Sequence, residues 1–118
     1  MSAEAIVFTV LTSLVSGRVY PDVAPEGSAL PRIVYQQVGG SAFAYTEGAL
    51  PDKENGRMQI ACWATTRLAA RDLSKLVADA IVGAAGFQAE PIGARISGYE
   101  PDTGLYSSQQ DFSIWSTR

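Results

Sequence analysis

The sequence predicts an α+β fold: a two-layer sandwich in which two helices cover one face of a mainly antiparallel sheet of about four to five strands. Three observations carry this expectation. Two segments repeat apolar residues at helical spacing, one at the N-terminus and one beyond the midpoint. Residues 57–64 alternate strictly, as a half-buried strand does. The chain closes on Tyr99-Glu100-Pro101-Asp102-Thr103-Gly104-Leu105-Tyr106, a strand, a tight turn and a second strand. Pro101 presets φ, Asp102 can accept from the backbone ahead of it, and Gly104 can take a positive φ.

The first helix starts at Ser2, a good N-cap, with Glu4 placed favourably in the first turn. Ala3, Ile6, Val7, Val10, Leu11 and Leu14 form its apolar stripe, which Phe8 and Val15 widen. Ala5, Thr9, Thr12 and Ser13 occupy the remaining face without a charge, so more than one side of this helix is expected to be covered. Gly17 ends it. Residues 19–31 read as a connection punctuated by Pro21, Pro25, Gly27 and Pro31, too rigid for a flexible linker.

Arg32 to Val38 is the first expected strand, with Ile33-Val34-Tyr35 strongly β-prone. Gly39 to Gly56 is the longest irregular stretch, carrying Phe43 and Tyr45 in a short β-like patch. Its charges are Glu47, Asp52, Lys53 and Glu54, an acidic balance. In the strand Arg57–Ala64, Met58, Ile60, Cys62 and Ala64 face the helices; Arg57, Gln59, Ala61 and Trp63 face away. Trp63 is then a sheet-surface residue or part of a subunit contact.

Thr65 or Thr66 caps the second helix. Its expected buried stripe is Ala69, Leu73, Leu76, Val77, Ala80, Ile81 and Ala84, with Arg71 and Lys75 solvated and Gly83 or Gly86 at its end. Strands over about 94–99 and 107–117 follow. Their order in the sheet is not encoded in any local pattern.

The 118 residues make one domain. Apolar residues form 47% of the chain, enough for a core, while charged residues form 18%, below the usual level of about 25%. So few charges are consistent with a partner covering part of the surface. The net charge is −3, and no two of the nine Lys and Arg residues are adjacent, so no basic patch is expected and nucleic-acid binding of the sequence-specific kind is set aside. The N-terminal apolar stretch is short, holds Glu4 and lacks a basic flank, so neither a signal peptide nor a membrane span is expected.

Catalytic chemistry is missing from the pattern. There is no histidine, which removes the commonest general base and metal ligand. Cys62 is the lone cysteine, has no His partner and sits among apolar neighbours, so it packs and does not attack. Glu100 and Asp102 belong to a turn. Gly39-Gly40-Ser41 lacks the Lys and helix start of a phosphate loop. No catalytic residue, cofactor or metal is expected.

In order along the chain, several motifs resemble the tail completion (tail terminator, head–tail joining) proteins of long-tailed bacteriophages and prophages. A short N-terminal helix leads to Gly17-Arg18-Val19-Tyr20-Pro21. Ala24-Pro25-Glu26-Gly27 then runs into Leu30-Pro31-Arg32-Ile33-Val34-Tyr35-Gln36. Arg57-Met58-Gln59-Ile60 opens a strand that ends in Trp63-Ala64, and the closing hairpin finishes with Gln110-Asp111-Phe112-Ser113-Ile114-Trp115. The middle loop matches least.

The resemblance implies a structural role without catalysis or cofactor. It implies a ring, commonly a hexamer, which caps the tail tube and docks to the head connector. Its partners are then copies of itself, the tail tube protein and the head connector protein, in the host cytoplasm during assembly and in the virion afterwards. Phe8, Phe43, Tyr45, Glu47, Asp52, Glu54 and Trp63 are the candidate interface residues. An acidic loop facing a ring channel would let DNA pass without sticking. The alternatives are a small ligand-binding module, its pocket lined by Trp63, Tyr35 or Trp115, and a non-enzymatic adaptor protein.

Overall fold

A computed structural model describes residues 2–42, 53–84 and 88–117. The elements run α1 (Ala3–Leu11), a 3-10 turn (Thr12–Val15), β1 (Val19–Pro21), β2 (Arg32–Gln37), β3 (Lys53–Ala64), α2 (Arg67–Gly83), β4 (Gln88–Glu100) and β5 (Leu105–Thr117). The five strands form one sheet in the order β1-β2-β3-β5-β4. Only the β1–β2 pair is parallel. The α+β fold expected from the sequence is therefore the fold observed.

Both helix starts obey local chemistry. Ser2 Oγ accepts from the Ala5 backbone N–H at 3.2 Å, and Thr66 Oγ1 accepts from that of Ala69 at 3.1 Å. Each satisfies one of the N–H groups that a helix start leaves orphaned. The first helix tightens into a 3-10 turn and stops where Ser16 and Gly17 both take positive φ.

One face of the sheet carries the core. Ile33 and Tyr35 from β2, Met58, Ile60 and Cys62 from β3, and Phe112 and Ile114 from β5 lie in matched register there. Val7, Leu11, Val15, Leu73, Val77 and Ile81 close over them from the helical layer. The predicted inward set Met58, Ile60, Cys62 and Ala64 is buried. Gly56 lies beneath the start of α1, where an added Cβ would meet that of Ala3 at 3.5 Å.

Several boundaries differ from expectation. β3 begins at Lys53, so the last four residues of the expected 39–56 loop are strand. β4 and β5 are each 13 residues long and start earlier than expected. The 19–31 connection hides β1, whose three residues pair with β2 through a contact no local pattern reports. The buried stripe of α2 is Ala70, Leu73, Ser74, Val77 and Ile81. Leu76 is 52% exposed and Ala69 is exposed, so these two expected core positions point outward. The helix is rolled toward a polar lane of the sheet: Ser74 lies inside, and its Oγ accepts from Arg95 Nε at 3.3 Å.

That polar lane has a cause in β4. The register between β4 and β5 jumps from Ile92↔Asp111 to Ile96↔Gln109, so three residues of β4 oppose Gln110 alone. Gly93, with φ +73°, makes this bulge possible. Gln110 occupies a core position and its Nε2 donates to the Gly93 carbonyl at 2.9 Å. A polar side chain at a core-facing position thus answers a carbonyl within the bulge.

Candidate functional site

The helices cover one face of the sheet, and among the described residues no element covers the other. On this open face β2 presents Arg32, Val34 and Gln36, β3 presents Gln59, Ala61 and Trp63, and β5 presents Gln109 and Asp111. Arg57 Nε donates to Asp111 Oδ2 at 2.8 Å, the one ion pair among the described residues. Asn55 ties the far end, donating to Ser113 Oγ at 2.8 Å and accepting from the Ser41 N–H at 3.0 Å.

A groove of about 500 Å³ crosses this face at the end nearest the β4–β5 turn. The sheet forms its floor, with half-buried Trp63. The 22–27 loop and the closing turn form its walls. Asp22, Glu26 and Glu100 line it, and all three are exposed. Among the described residues Arg32 is the one cation in the lining, and its Nη1 donates to the Ser28 carbonyl at 2.9 Å. Three carboxylates against one guanidinium leave the groove a formal charge of −2. Val23 on its wall is 79% exposed.

A second concavity lies on the helical face, at the same end of the sheet. It holds about 450 Å³ and is lined by Arg67, Leu68 and Arg71 from α2 and Arg95 and Ser97 from β4. Among the described residues its lining has a formal charge of +3 and no carboxylate. Leu68 is 62% exposed. Arg67 and Arg71 fall one turn apart on the helix, and Arg95 joins them because the bulge and its bond to Ser74 set it beside α2. The expectation of scattered cations without a basic patch is corrected here. A third of the nine Lys and Arg residues converge, although none of the three is adjacent to another in sequence.

The sequence-selected interface residues are dispersed. Phe8 is 44% exposed on the outer side of α1. Glu54 is exposed at the start of β3, and Trp63 lies at the other end of that strand in the acidic groove. Phe43, Tyr45, Glu47 and Asp52 lie outside the described residues. Of the aromatic residues considered for a ligand pocket, Tyr35 faces the core, and Trp115 shares the open face with Trp63 but lies at the other end of the ladder, opposite Asn55, where it lines a separate concavity with Val82 and Gln88. The acidic groove and its Asp22 and Glu26 were missed. Their only sequence signal was two carboxylates in a loop rich in Pro and Gly.

Cys62 is sealed. It is fully buried, and burial pushes its thiol up to about 12, with the Arg95 charge opposing. The thiolate that nucleophilic chemistry requires is therefore absent near neutrality. Tyr35 is also raised, by burial first and then by the charges of Glu4 and Asp22. Among the described residues no three His, Cys, Asp or Glu side chains gather as metal ligands, and no helix is long and apolar enough to cross a membrane.

No curated protein is significantly similar to the chain. Among solved structures, a chain from the virion of a native gene transfer agent particle superposes with a TM-score of 0.70 at 16% identity. The match covers 99% of this chain and 96% of the other. At that identity the likeness is one of fold. The family model described as tail completion protein gp17 matches residues 8–117. The chain therefore belongs to the tail completion protein gp17 family, structural proteins of the bacteriophage virion.

Proposed function

We propose that this protein closes the phage tail as a ring of identical subunits, hexameric, which caps the tail tube and joins it to the head connector. The family match over residues 8–117 carries this reading. Its physical support is the distribution of surface. Phe8, Leu68, Leu76, Val82, Ile96 and Tyr99 are large apolar side chains between 44% and 63% exposed. A heterologous ring buries two different patches on every subunit, and such residues on both helices and on β4 suit that demand. Assembly takes place in the host cytoplasm, and the ring remains in the virion.

Light scattering of the purified protein, alone and with its tail tube protein, tests this. A defined multimer in either condition supports the ring. Strict monomers in both remove it. We propose in addition that the acidic charge of Glu47, Asp52 and Glu54 keeps passing DNA from sticking. Reversing all three to Lys then lowers DNA delivery while assembly persists. Normal infectivity of that variant eliminates this role.

A further inference from the structure

The two grooves lie on opposite faces of the same end of one sheet, and their charges are opposite. Trp63, Glu100 and Thr103 line the acidic groove on the open face. Arg67, Arg71, Arg95 and Ser97 line the basic one beneath α2. Gly98 pairs with Ser107 and Ser97 with Ser108, so successive residues of β4 serve the two faces at one level of the ladder.

We infer that these grooves are the two halves of a head-to-tail contact: the Arg67–Arg71–Arg95 basin of one copy receives the Asp22–Glu26–Glu100 groove of the next. This rests on the ring reading above and specifies which surfaces make it. Each groove also carries an exposed aliphatic side chain, Leu68 on one and Val23 on the other. Each thus has the apolar anchor and charged surround of a protein contact. The contact is heterologous, since one copy offers its basic face and its neighbour the acidic face, and repeating it closes a ring or extends a filament. Asp72 and Asp79 share α2 with the basin but do not line it, so among the described residues no carboxylate cancels its charge. Duplex DNA is the less favoured occupant of the basin. The chain as a whole is at −3, and the exposed Leu68 on its rim suits a protein surface better than a phosphate backbone.

The test is a charge swap. One variant carries Arg67→Glu and Arg71→Glu; the other carries Glu26→Arg and Glu100→Arg. Arg95 is left intact because it holds Ser74, and Asp22 because its φ is +62°. Arg67 opens α2, where a glutamate suits the helix dipole. Association is measured by sedimentation velocity at low and high salt, alone and on tail tubes. Each variant by itself sets like charges face to face and loses association by roughly two orders of magnitude. An equal mixture restores it, because every contact then pairs opposite charges again. Lys53→Glu with Lys75→Glu, which changes net charge as the first variant does, associates like wild type. Circular dichroism and Tm verify that all variants are folded.

Wild-type association retained by both swap variants, or a mixture that fails to assemble, overturns the contact and leaves the ring standing. A wild-type protein that never associates, even on tubes, removes both. If the first variant assembles normally but no longer retains duplex DNA on a filter, the basin is a phosphate site and the contact is wrong.

Discussion

Raising the pH from 7 to 11 destabilises this protein through Cys62, and exchanging that residue for alanine removes that part of the pH dependence. The thiol is fully buried in β3, and burial lifts it from its ordinary value of 9.0 to about 12. Above pH 9 the unfolded chain releases the thiol proton while the folded chain keeps it. Each further rise therefore favours unfolding. The stability that the protonated thiol contributes is fully present below pH 9 and is lost progressively toward pH 12. The interval of about three pH units (12 minus 9.0), at slightly more than 1 kcal/mol each, sets a ceiling of about 4 kcal/mol. By pH 11 two of those units have been crossed, a loss of about 3 kcal/mol. Urea denaturation of wild type and Cys62→Ala at pH 7, 9, 10 and 11 measures it. The raised Tyr35 hydroxyl acts in the same direction in both proteins and cancels in their difference. At pH 7 the variant is less stable by about 1 kcal/mol, for the lost sulfur packing. By pH 11 that order reverses. A difference between the two proteins that stays constant within about 0.5 kcal/mol across the range refutes the reasoning.

Three further outcomes follow from packing and backbone geometry. Phe112→Ala empties the centre of the core, where the ring is fully buried, and costs about 3–5 kcal/mol in urea or thermal unfolding. A loss below about 1 kcal/mol would place Phe112 outside the core. Gly40→Ala puts a Cβ against the Asn55 carbonyl at a residue with φ +142°, costing about 1–3 kcal/mol; an unchanged urea midpoint contradicts the close approach of Gly40 to the Asn55 backbone. Thr66→Ala removes the acceptor for the Ala69 N–H and costs about 1 kcal/mol, which Thr66→Ser restores; Thr65→Ala, outside the cap, has little effect.

Much of this molecule is legible in the sequence because the signal is local. A Ser or Thr before an apolar helical period marks a helix start, since its side chain answers a backbone N–H three residues ahead. Alternation over 57–64 marks which residues meet the helices, since successive strand side chains point to opposite faces. The closing turn is equally plain from Pro101, Asp102 and Gly104, and the glycine does take φ +68°.

The buried face of α2 was less legible, because periodicity locates a stripe only to within a residue or so. Leu76 and Ser74 are two positions apart on α2, and hydropathy favours the leucine for burial. The choice fell to Ser74 because a bulge in β4 sets Arg95 beside it, whose Nε donates to the Ser74 hydroxyl. The opposed grooves belong to the same category. Arg67 and Arg71 are recognisable as neighbours on a helix, whereas Arg95 lies 24 residues beyond Arg71 (95 minus 71) and meets them only through strand order. Asp22 and Glu26 meet Glu100 by the same route, across a sheet whose pairing no local pattern encodes. Capping, turning and alternation depend on near neighbours and so are written in the chain. Where charge accumulates depends on which distant strands lie side by side, and only the folded sheet settles that.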